Sequence, residues 1–190
     1  MTKEIELKIS EEFCSFICSH AQTPIPHVLE VGCGHGSAAA YMCNVSNQLS
    51  LIDIDEKAVE LLKIQMSSMS HVKVRCMVSN DIDETFDMVY YFLSLHHIAD
   101  ISSELEQAKR LLNTKGKLYI CDYMPVPNCT LHHYDIVPHE GFHPNHLKEL
   151  LTQKGFRIEH LQEISSLEYC RGAQSVSFLI YVITAYLKDQ

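Results

Sequence analysis

The chain has 190 residues, of which 46% are hydrophobic and 21% charged, and its formal net charge is −9 at pH 7. This length and composition are typical of one globular domain. No apolar run approaches the roughly 18 residues of a membrane span, and the N-terminus lacks the apolar segment of a signal peptide. The acidic balance, without a basic stripe, argues against a nucleic-acid partner. We expect one domain, 1–190, that binds neither membrane nor nucleic acid.

The cysteines indicate the compartment. There are eight, spread over the chain with no CxxC pair, so a zinc ribbon lacks its ligands. They fall mainly in predicted helices and strands, where a reduced thiol acts as a small core residue. We therefore expect reduced thiols and a cytoplasmic protein.

The first predicted element is a helix over Lys3 to about His20. It lies in an N-terminal segment, 1–26, that also contains the linker before the first strand. Apolar residues recur along it at helical spacing: Ile5, Ile9, Phe13, Phe16 and Ile17. We expect this face to pack on the sheet, with closure over a bound ligand as the alternative.

A glycine-rich loop follows the first predicted strand. After Val28–Val31 come three glycines at alternate positions, Gly32, Gly34 and Gly36, and small residues that open a helix. Glycines let the backbone turn sharply and let a ligand approach it, and free N–H groups at the helix start would face that ligand. Glu30, an acid inside the strand, would repel a pyrophosphate. The loop therefore predicts a nucleoside-like ligand that carries a positive charge.

The second predicted strand, Leu49 to Ile54, places an acid at its carboxyl end. Asp53 lies about twenty residues beyond the glycine loop, where a carboxylate can accept hydrogen bonds from ribose hydroxyls. Asp55 is a suitable N-cap for the helix that begins at Glu56.

Two segments carry a family resemblance. Glu30–Gly36, read as Glu-Val-Gly-Cys-Gly-His-Gly, resembles the first motif of the class I S-adenosylmethionine-dependent methyltransferases. Phe86–Ile98 resembles the fourth strand and following loop of the small-molecule members. The resemblance implies a single class I methyltransferase domain, with S-adenosyl-L-methionine as cofactor and S-adenosyl-L-homocysteine as product. It assigns cofactor binding to Glu30, Gly32, Cys33, Gly34, Gly36, Asp53, Ile54, Asp81, Ile82, Phe92 and Leu93.

Two assignments have alternatives. Only a few residues separate Asp81 from the fourth strand, so Asp83 competes with it for the adenine amino group. His96 and His97 precede a predicted helix from about Asp100 to Leu112, and we expect them to cap or pack rather than to catalyse.

The remaining elements complete an alternation of strands and helices. Further strands are predicted over His71–Val78, Phe86–Phe92, Lys117–Asp122, from Phe156 and over Ser175–Tyr186, with a helix over Leu147–Lys154. Such alternation is typical of α/β proteins. The resemblance specifies a Rossmann-like, doubly wound, seven-stranded sheet, mostly parallel with the last strand antiparallel, and helices on both faces.

A histidine-rich connection, 124–143, lies on the predicted substrate side. Long structured connections are usually functional, and this one leaves the carboxyl edge of the sheet. We predict that catalytic groups come from His133, His139, Glu140 and His143. A neutral imidazole can accept a proton from a substrate. Metal binding by the same residues and a purely structural role are the alternatives, and no metal is included in the expected site. Val137–Phe142 also resembles a His-His-Gly-Phe segment of small bacterial methyltransferases, with Glu140 in place of the second histidine.

The predicted function is methyl transfer from S-adenosylmethionine to an oxygen, nitrogen or sulfur atom of a small molecule. A partner subunit that binds the cofactor without activity of its own is one alternative. A nicotinamide-dependent oxidoreductase is another, against which Glu30 and the His96–His97 segment argue. A homodimer is compatible with the sequence.

Overall fold

The computed structural model describes residues 3–127, 137–171 and 174–188. Its centre is a sheet of seven strands: β1 (Ile25–Val31), β2 (Ser46–Asp53), β3 (Val72–Cys76), β4 (Phe86–Phe92), β5 (Leu112–Tyr123), β6 (Phe156–Arg171) and β7 (Gln174–Leu187). The strand order is β3-β2-β1-β4-β5-β7-β6. The first five strands are parallel, and β7 runs antiparallel to β5 and β6. The predicted seven-stranded sheet with an antiparallel last strand is confirmed.

Within the described ranges, five α-helices cover the two faces of the sheet: α1 (Lys3–His20), α2 (Ala39–Met42), α3 (Glu56–Gln65), α4 (Ile101–Leu111) and α5 (Pro144–Gln153). Apolar residues of α1, α2 and α3 pack with alternate strand residues into one core, which contains Phe13, Met42 and Leu62. Those of α4 and α5 form the core on the opposite face, with Leu105 and Leu151. Successive strand residues point to opposite faces, and the predicted helices on both faces are confirmed.

The boundaries differ from the sequence prediction where glycine is involved. The helix expected to open near Gly36 begins only at Ala39 and has 4 residues, because Gly36 has a φ of +78°. The fifth strand, expected over Lys117–Asp122, begins at Leu112. Leu112 pairs with Phe86 and Lys117 with Met88, so residues 113–116, which include Gly116, bulge out of the ladder.

The topology creates a crevice beside β1. This strand pairs in parallel with β2 on one side and β4 on the other, so the strand order reverses next to it. Ligands of open α/β sheets bind outside the carboxyl ends of the strands at such a point.

Among the helices of the described residues, none is both long enough and apolar enough to cross a membrane.

Candidate functional site

A cleft of about 740 Å³ opens at the carboxyl ends of β1, β2 and β4. This volume lies within the range of small-molecule sites. Most of the predicted cofactor residues line it: Glu30, Gly32, Cys33, Gly34, Asp53, Ile54, Phe92 and Leu93. The cleft therefore brings together groups from the ends of three neighbouring strands.

The glycine loop forms the floor of the cleft. Gly32 and Gly34 have φ angles of +74° and +48°, a region that side chains disfavour. A Cβ on Gly32 would lie 2.7 Å from Cβ of Ser94, so the loop after β4 approaches the backbone closely there. A Cβ on Gly34 would have no atom of the described residues within 4 Å. The space above Gly34 is thus left for a ligand.

Asp53 binds the glycine loop. Its Oδ2 accepts the Gly34 N–H at 2.7 Å, and its Oδ1 accepts the Asp55 N–H at 2.9 Å. Asp55 in turn caps α3 through the Lys57 and Ala58 N–H groups, as predicted. Each carboxylate oxygen has a second lone pair, so Asp53 can hold the loop and still accept ribose hydroxyls.

Glu30 is a buried acid at the edge of the cleft. Its side chain is 1% exposed, and its Oε2 accepts the Tyr90 hydroxyl at 2.5 Å. Burial is the main cause of a pKa of about 8 for this carboxyl. The Tyr90 hydrogen bond acts to lower this pKa, and the nearby Asp53 and Glu6 carboxylates act to raise it. A cation placed beside Glu30 would favour its ionised form.

Two exposed apolar side chains form one wall of the cleft. Ile54 is 76% exposed and Val78 45% exposed, and both line the cleft. Burial of such residues under a ligand is favourable at roughly 25 cal/mol per Å². They are suited to contact a flat purine.

The turn after β3 is arranged differently from the expectation. Asp81 and Ile82 do not line the cleft, whereas Ser79 and Glu104 do, because Ile82 turns into the core. The Ser79 hydroxyl donates to Oε2 of Glu104 at 2.8 Å, and the Tyr91 hydroxyl donates to Oε1 at 2.5 Å. Neither Ser79 nor Glu104 carries a motif in the sequence that would have indicated this position.

Arg110 fixes the same turn from α4. Its guanidinium donates to the carbonyl oxygens of Ile82 at 2.6 Å, Ser79 at 3.2 Å and Asn80 at 3.4 Å. The turn is therefore held to α4 by main-chain contacts as well as by Glu104. This anchoring positions the wall on which a purine would lie.

His96 and Asp122 form a buried pair at the other end of the cleft. His96 Nδ1 lies 2.9 Å from Oδ1 of Asp122, and the two residues are 2% and 0% exposed. The same Oδ1 accepts the Tyr123 N–H at 2.9 Å. His96 and Tyr123 both line the cleft. The sequence favoured a capping or packing role for His96 over a catalytic one.

The described part of the histidine-rich connection lies behind this pair. The N–H of His139 donates to the His96 carbonyl at 3.2 Å, and that of Phe142 donates to the Tyr123 carbonyl at 3.0 Å. His139, Glu140 and His143 do not line the cleft, and His143 is the N-cap residue of α5. His133 lies outside the described residues. No group of metal ligands occurs within the described part of the chain.

The charge of the cleft selects among ligands. Five acids line it, Glu6, Glu30, Asp53, Asp55 and Glu104, and none of its described lining residues is Lys or Arg. A pyrophosphate would find no cation here, whereas a cationic cofactor would find acids on several sides. The residues present therefore fit S-adenosylmethionine and do not fit a nicotinamide dinucleotide.

Gly36→Ala is expected to lower stability rather than cofactor affinity. A Cβ at Gly36 would lie 2.4 Å from Cδ1 of the buried Leu62, and Gly36 does not line the cleft. Overpacking and the positive φ together should cost about 2–4 kcal/mol. Urea unfolding measures the first effect and calorimetric titration the second. Gly34→Ala is the matched control for stability, because its Cβ meets no neighbour among the described residues. If the Gly36 variant binds the cofactor more weakly while its stability is unchanged, Gly36 is part of the ligand site.

Comparison with known proteins agrees with this site. A family model described as a methyltransferase domain matches residues 29–120. O-methyltransferase resE of Aspergillus sclerotiorum is 27% identical over an alignment of 152 positions, and the alignment covers 73% of this chain and 57% of that protein. The chain spans between 40% and 72% of the length of eight curated relatives that it matches.

Solved structures share the fold at low identity. A SAM dependent methyltransferase from Aquifex aeolicus superposes with a TM-score of 0.71 at 16% identity, covering 97% of this chain and 98% of that one. Magnesium protoporphyrin IX methyltransferase from Synechocystis PCC 6803, crystallised with bound SAH, superposes with a TM-score of 0.73 at 15% identity. That superposition covers 96% of this chain and 83% of the other.

The doubly wound sheet and its acidic, glycine-floored cleft define a domain for a cationic nucleoside cofactor. Residues 29–120 match the methyltransferase domain family, and the described chain has the fold of the class I S-adenosylmethionine-dependent methyltransferases. The prediction of S-adenosylmethionine as the cofactor is confirmed by this match.

Proposed function

We propose that this protein transfers a methyl group from S-adenosylmethionine to a hydroxyl oxygen of a small-molecule acceptor. The observation that carries the proposal is the cleft itself, where a glycine loop, Asp53 and Glu30 meet with no Lys or Arg among the described lining residues. The printed names of the relatives support oxygen as the nucleophile, since O-methyltransferases are prominent among them.

Each end of the cleft has a task in this proposal. At the nucleoside end, Asp53 accepts the ribose hydroxyls, while Ile54 and Val78 cover the purine. At the methionine end, Glu30 and Glu6 face the positive charges, and Glu6 is held by the Ser37 hydroxyl at 2.6 Å. When bound, S-adenosylmethionine supplies a methyl carbon on a sulfonium sulfur, which keeps the electron pair of the C–S bond as the acceptor oxygen forms the new C–O bond. The protein's part is to align the acceptor with that carbon.

Calorimetric titration tests the cofactor directly. We expect S-adenosylmethionine and S-adenosylhomocysteine to bind and NADH not to bind. Tight binding of NADH alone would overturn the proposal in favour of an oxidoreductase. A partner subunit without activity would bind the first two compounds but release no S-adenosylhomocysteine with any member of a panel of hydroxylated, amino and thiol metabolites.

Asp53→Ala should weaken cofactor binding severely. The variant loses the acceptor for the ribose hydroxyls, each worth about 1.5–3 kcal/mol as a charge-assisted hydrogen bond. It also frees the Gly34 N–H that Asp53 now accepts. We expect affinity to fall at least a hundredfold by calorimetry. Asp87→Ala is the control, because Asp87 also accepts a main-chain N–H, from His27 at 3.0 Å, but does not line the cleft. An Asp53 variant that folds and binds normally would remove the ribose assignment.

Two further properties remain proposals. A cytoplasmic location is supported by the six described cysteines, Cys14, Cys18, Cys33, Cys43, Cys76 and Cys121, which are all free thiols. A homodimer is compatible with the described surface, and light scattering after size-exclusion chromatography measures it.

A further inference from the structure

We propose that Tyr123 binds the methyl acceptor by donating a hydrogen bond from its phenol to a neutral oxygen of that molecule. This oxygen is distinct from the one that is methylated, so the acceptor is an uncharged aromatic compound with at least two oxygen substituents. The proposal rests on the methyl transfer proposed above and adds to it an acceptor-binding residue and a class of acceptor.

Tyr123 is the last residue of β5 and lies on the acceptor side of the cleft. In the strand order, β2 with Asp53 lies on one side of β1, whereas β4 and β5 lie on the other. Tyr123 lines the cleft on this second side, as do Phe92 and Leu93 at the end of β4. With the nucleoside over β2 and the methionine beside Glu30 of β1, this side is the one left for the acceptor.

Neighbouring residues hold the Tyr123 ring in place. Its centroid lies 4.8 Å from that of His96 and 5.8 Å from that of Phe178, both in edge-to-face contact. A Cβ on Gly141 would lie 2.7 Å from Cδ2 of the ring, so the chain at Gly141 passes close against the phenol. The ring is therefore positioned before a ligand arrives, which lowers the entropy lost on binding.

The hydroxyl of Tyr123 is buried and has no hydrogen-bond partner among the described residues. Buried polar groups nearly always have such a partner, and a group without one is unfavourable. An acceptor oxygen placed against the phenol would supply it. Tyr123 would then favour a ligand that carries an oxygen at this position over one that lacks it.

The phenol acts as a donor. Burial is the main cause of a raised pKa for the Tyr123 hydroxyl, and the Asp122 and Glu140 carboxylates act in the same direction, so the phenol keeps its proton at neutral pH. A donor on the oxygen that attacks the methyl carbon would stabilise its free electron pair more than the transition state and so slow the reaction. The phenol therefore suits a second oxygen of the acceptor.

The charge of the surroundings indicates that this second oxygen is neutral. The described lining residues include no Lys or Arg, and the sequence from 123 to 143 contains neither. A carboxylate or phosphate would lose its hydration without gaining a cation, and the Asp122 carboxylate would repel it. Hydroxyl, ether and carbonyl oxygens have neither disadvantage.

The apolar side chains beside Tyr123 favour an aromatic acceptor. Phe92, Leu93 and Ile98 line the cleft and gain from burial under an apolar ring. A sugar-like polyol would instead place several hydroxyl groups against these side chains, where each would lose its hydrogen bonds to water.

The first test removes only the hydroxyl, in Tyr123→Phe. Tyr119→Phe is the matched control, because Tyr119 lies earlier on β5, packs in the same core and also has a buried hydroxyl without a partner among the described residues, but does not line the cleft. Both variants should melt no more than about 2 °C below wild type, since neither loses a hydrogen bond, and should bind S-adenosylmethionine within about twofold of it. A melting temperature lowered by more than about 5 °C in Tyr123→Phe alone would assign the hydroxyl to the fold and overturn the proposal.

The second test compares phenol with catechol, resorcinol and hydroquinone, which add a second hydroxyl at each possible spacing. In the S-adenosylhomocysteine complex, we expect one of the three to bind at least about tenfold more tightly than phenol by calorimetry, as one further hydrogen bond predicts. This preference should fall below about threefold in Tyr123→Phe and persist in Tyr119→Phe. The absence of any preference, or a preference that survives in Tyr123→Phe, would overturn the acceptor role of Tyr123.

The three hydroxybenzoates test the charge class, because each carries a carboxylate in place of the second hydroxyl. We expect each to bind more weakly than the dihydroxybenzene of the same spacing. Tighter or equal binding of the isomer that matches the preferred dihydroxybenzene would overturn the neutral class.

Cofactor titration separates this proposal from the methyl transfer on which it rests. A protein that binds no S-adenosylmethionine would overturn the proposed function, whatever the Tyr123 variant does. A protein that binds S-adenosylmethionine normally but does not distinguish the dihydroxybenzenes from phenol would overturn only the role of Tyr123.

Discussion

Replacing Glu30 with Gln is expected to stabilise the free protein at pH 8 and to weaken its hold on the cofactor. Burial raises the pKa of the Glu30 carboxyl to about 8, whereas the same group in the unfolded chain ionises near its ordinary value of 4.5. Between these two values the unfolded state has lost a proton that the folded state keeps. Stability contributed by Glu30 is therefore complete below about pH 4.5 and is lost as pH rises to about 8.

The size of this effect is large for one side chain. The difference between a pKa of 4.5 in the unfolded chain and one of about 8 in the folded protein corresponds to roughly 5 kcal/mol. Gln keeps the shape of the neutral acid but does not titrate. The stability difference between Glu30→Gln and wild type should grow from under about 1 kcal/mol at pH 5 to several kcal/mol at pH 8. Urea unfolding over this range measures it, with the exposed Glu149→Gln as control. Parallel curves for the two proteins would contradict the buried, protonated Glu30.

Cofactor binding should show the opposite dependence. A bound cation favours the ionised carboxylate, so binding of S-adenosylmethionine below pH 8 should release a proton from Glu30. Affinity of the wild type should then rise between pH 6 and 7.5, by up to about tenfold per unit, while Glu30→Gln binds more weakly and with a flatter profile.

Gly34→Val is expected to abolish cofactor binding with a smaller effect on stability. Gly34 has a φ of +48°, which a β-branched residue adopts at a cost of about 1–2 kcal/mol. Its Cβ would meet no atom within 4 Å in the part of the chain that the structure describes, because it would enter the cleft. The valine side chain therefore occupies ligand space, and affinity for S-adenosylmethionine should fall below calorimetric detection.

Gly34→Ala separates the two contributions. It has nearly the same backbone penalty but adds only one methyl group, so its loss of affinity should be intermediate. If the valine variant melts close to wild type and still binds the cofactor, the loop is an ordinary turn and the ligand lies elsewhere.

Local sequence features predicted the parts of the site that a short segment determines. Gly32, Gly34 and Glu30 lie within five positions, and Asp53 ends the adjacent strand, so the alternation of strands and helices was enough to bring them together. The wall beyond β3 was misplaced because it depends on tertiary contact. Ser79 meets Glu104 across 25 residues, and no periodicity encodes that α4 passes there.

The His96–Asp122 pair shows the same limit. Each residue is unremarkable in its own segment, one after β4 and the other near the end of β5. Parallel pairing places Phe92 beside Cys121, and this register brings the imidazole to the carboxylate. The histidine density of the connection instead predicted catalytic roles for His139 and His143. In the structure, the main chain of this segment donates hydrogen bonds to the carbonyl groups of His96 and Tyr123.

The attachment of the turn at 79–82 to α4 has a mechanical consequence. Arg110 binds three carbonyl groups of that turn, and Glu104 binds Ser79, so the wall that we propose for the nucleobase is joined to the helix. The opposite end of the cleft is built on β1 and β4, in the interior of the sheet. Warming that loosens α4 would therefore first open the end of the cleft that we propose for adenine. We expect adenosine to dissociate at temperatures where a methionine-like fragment still binds. The two halves of the cofactor would then report on the stability of different parts of the fold.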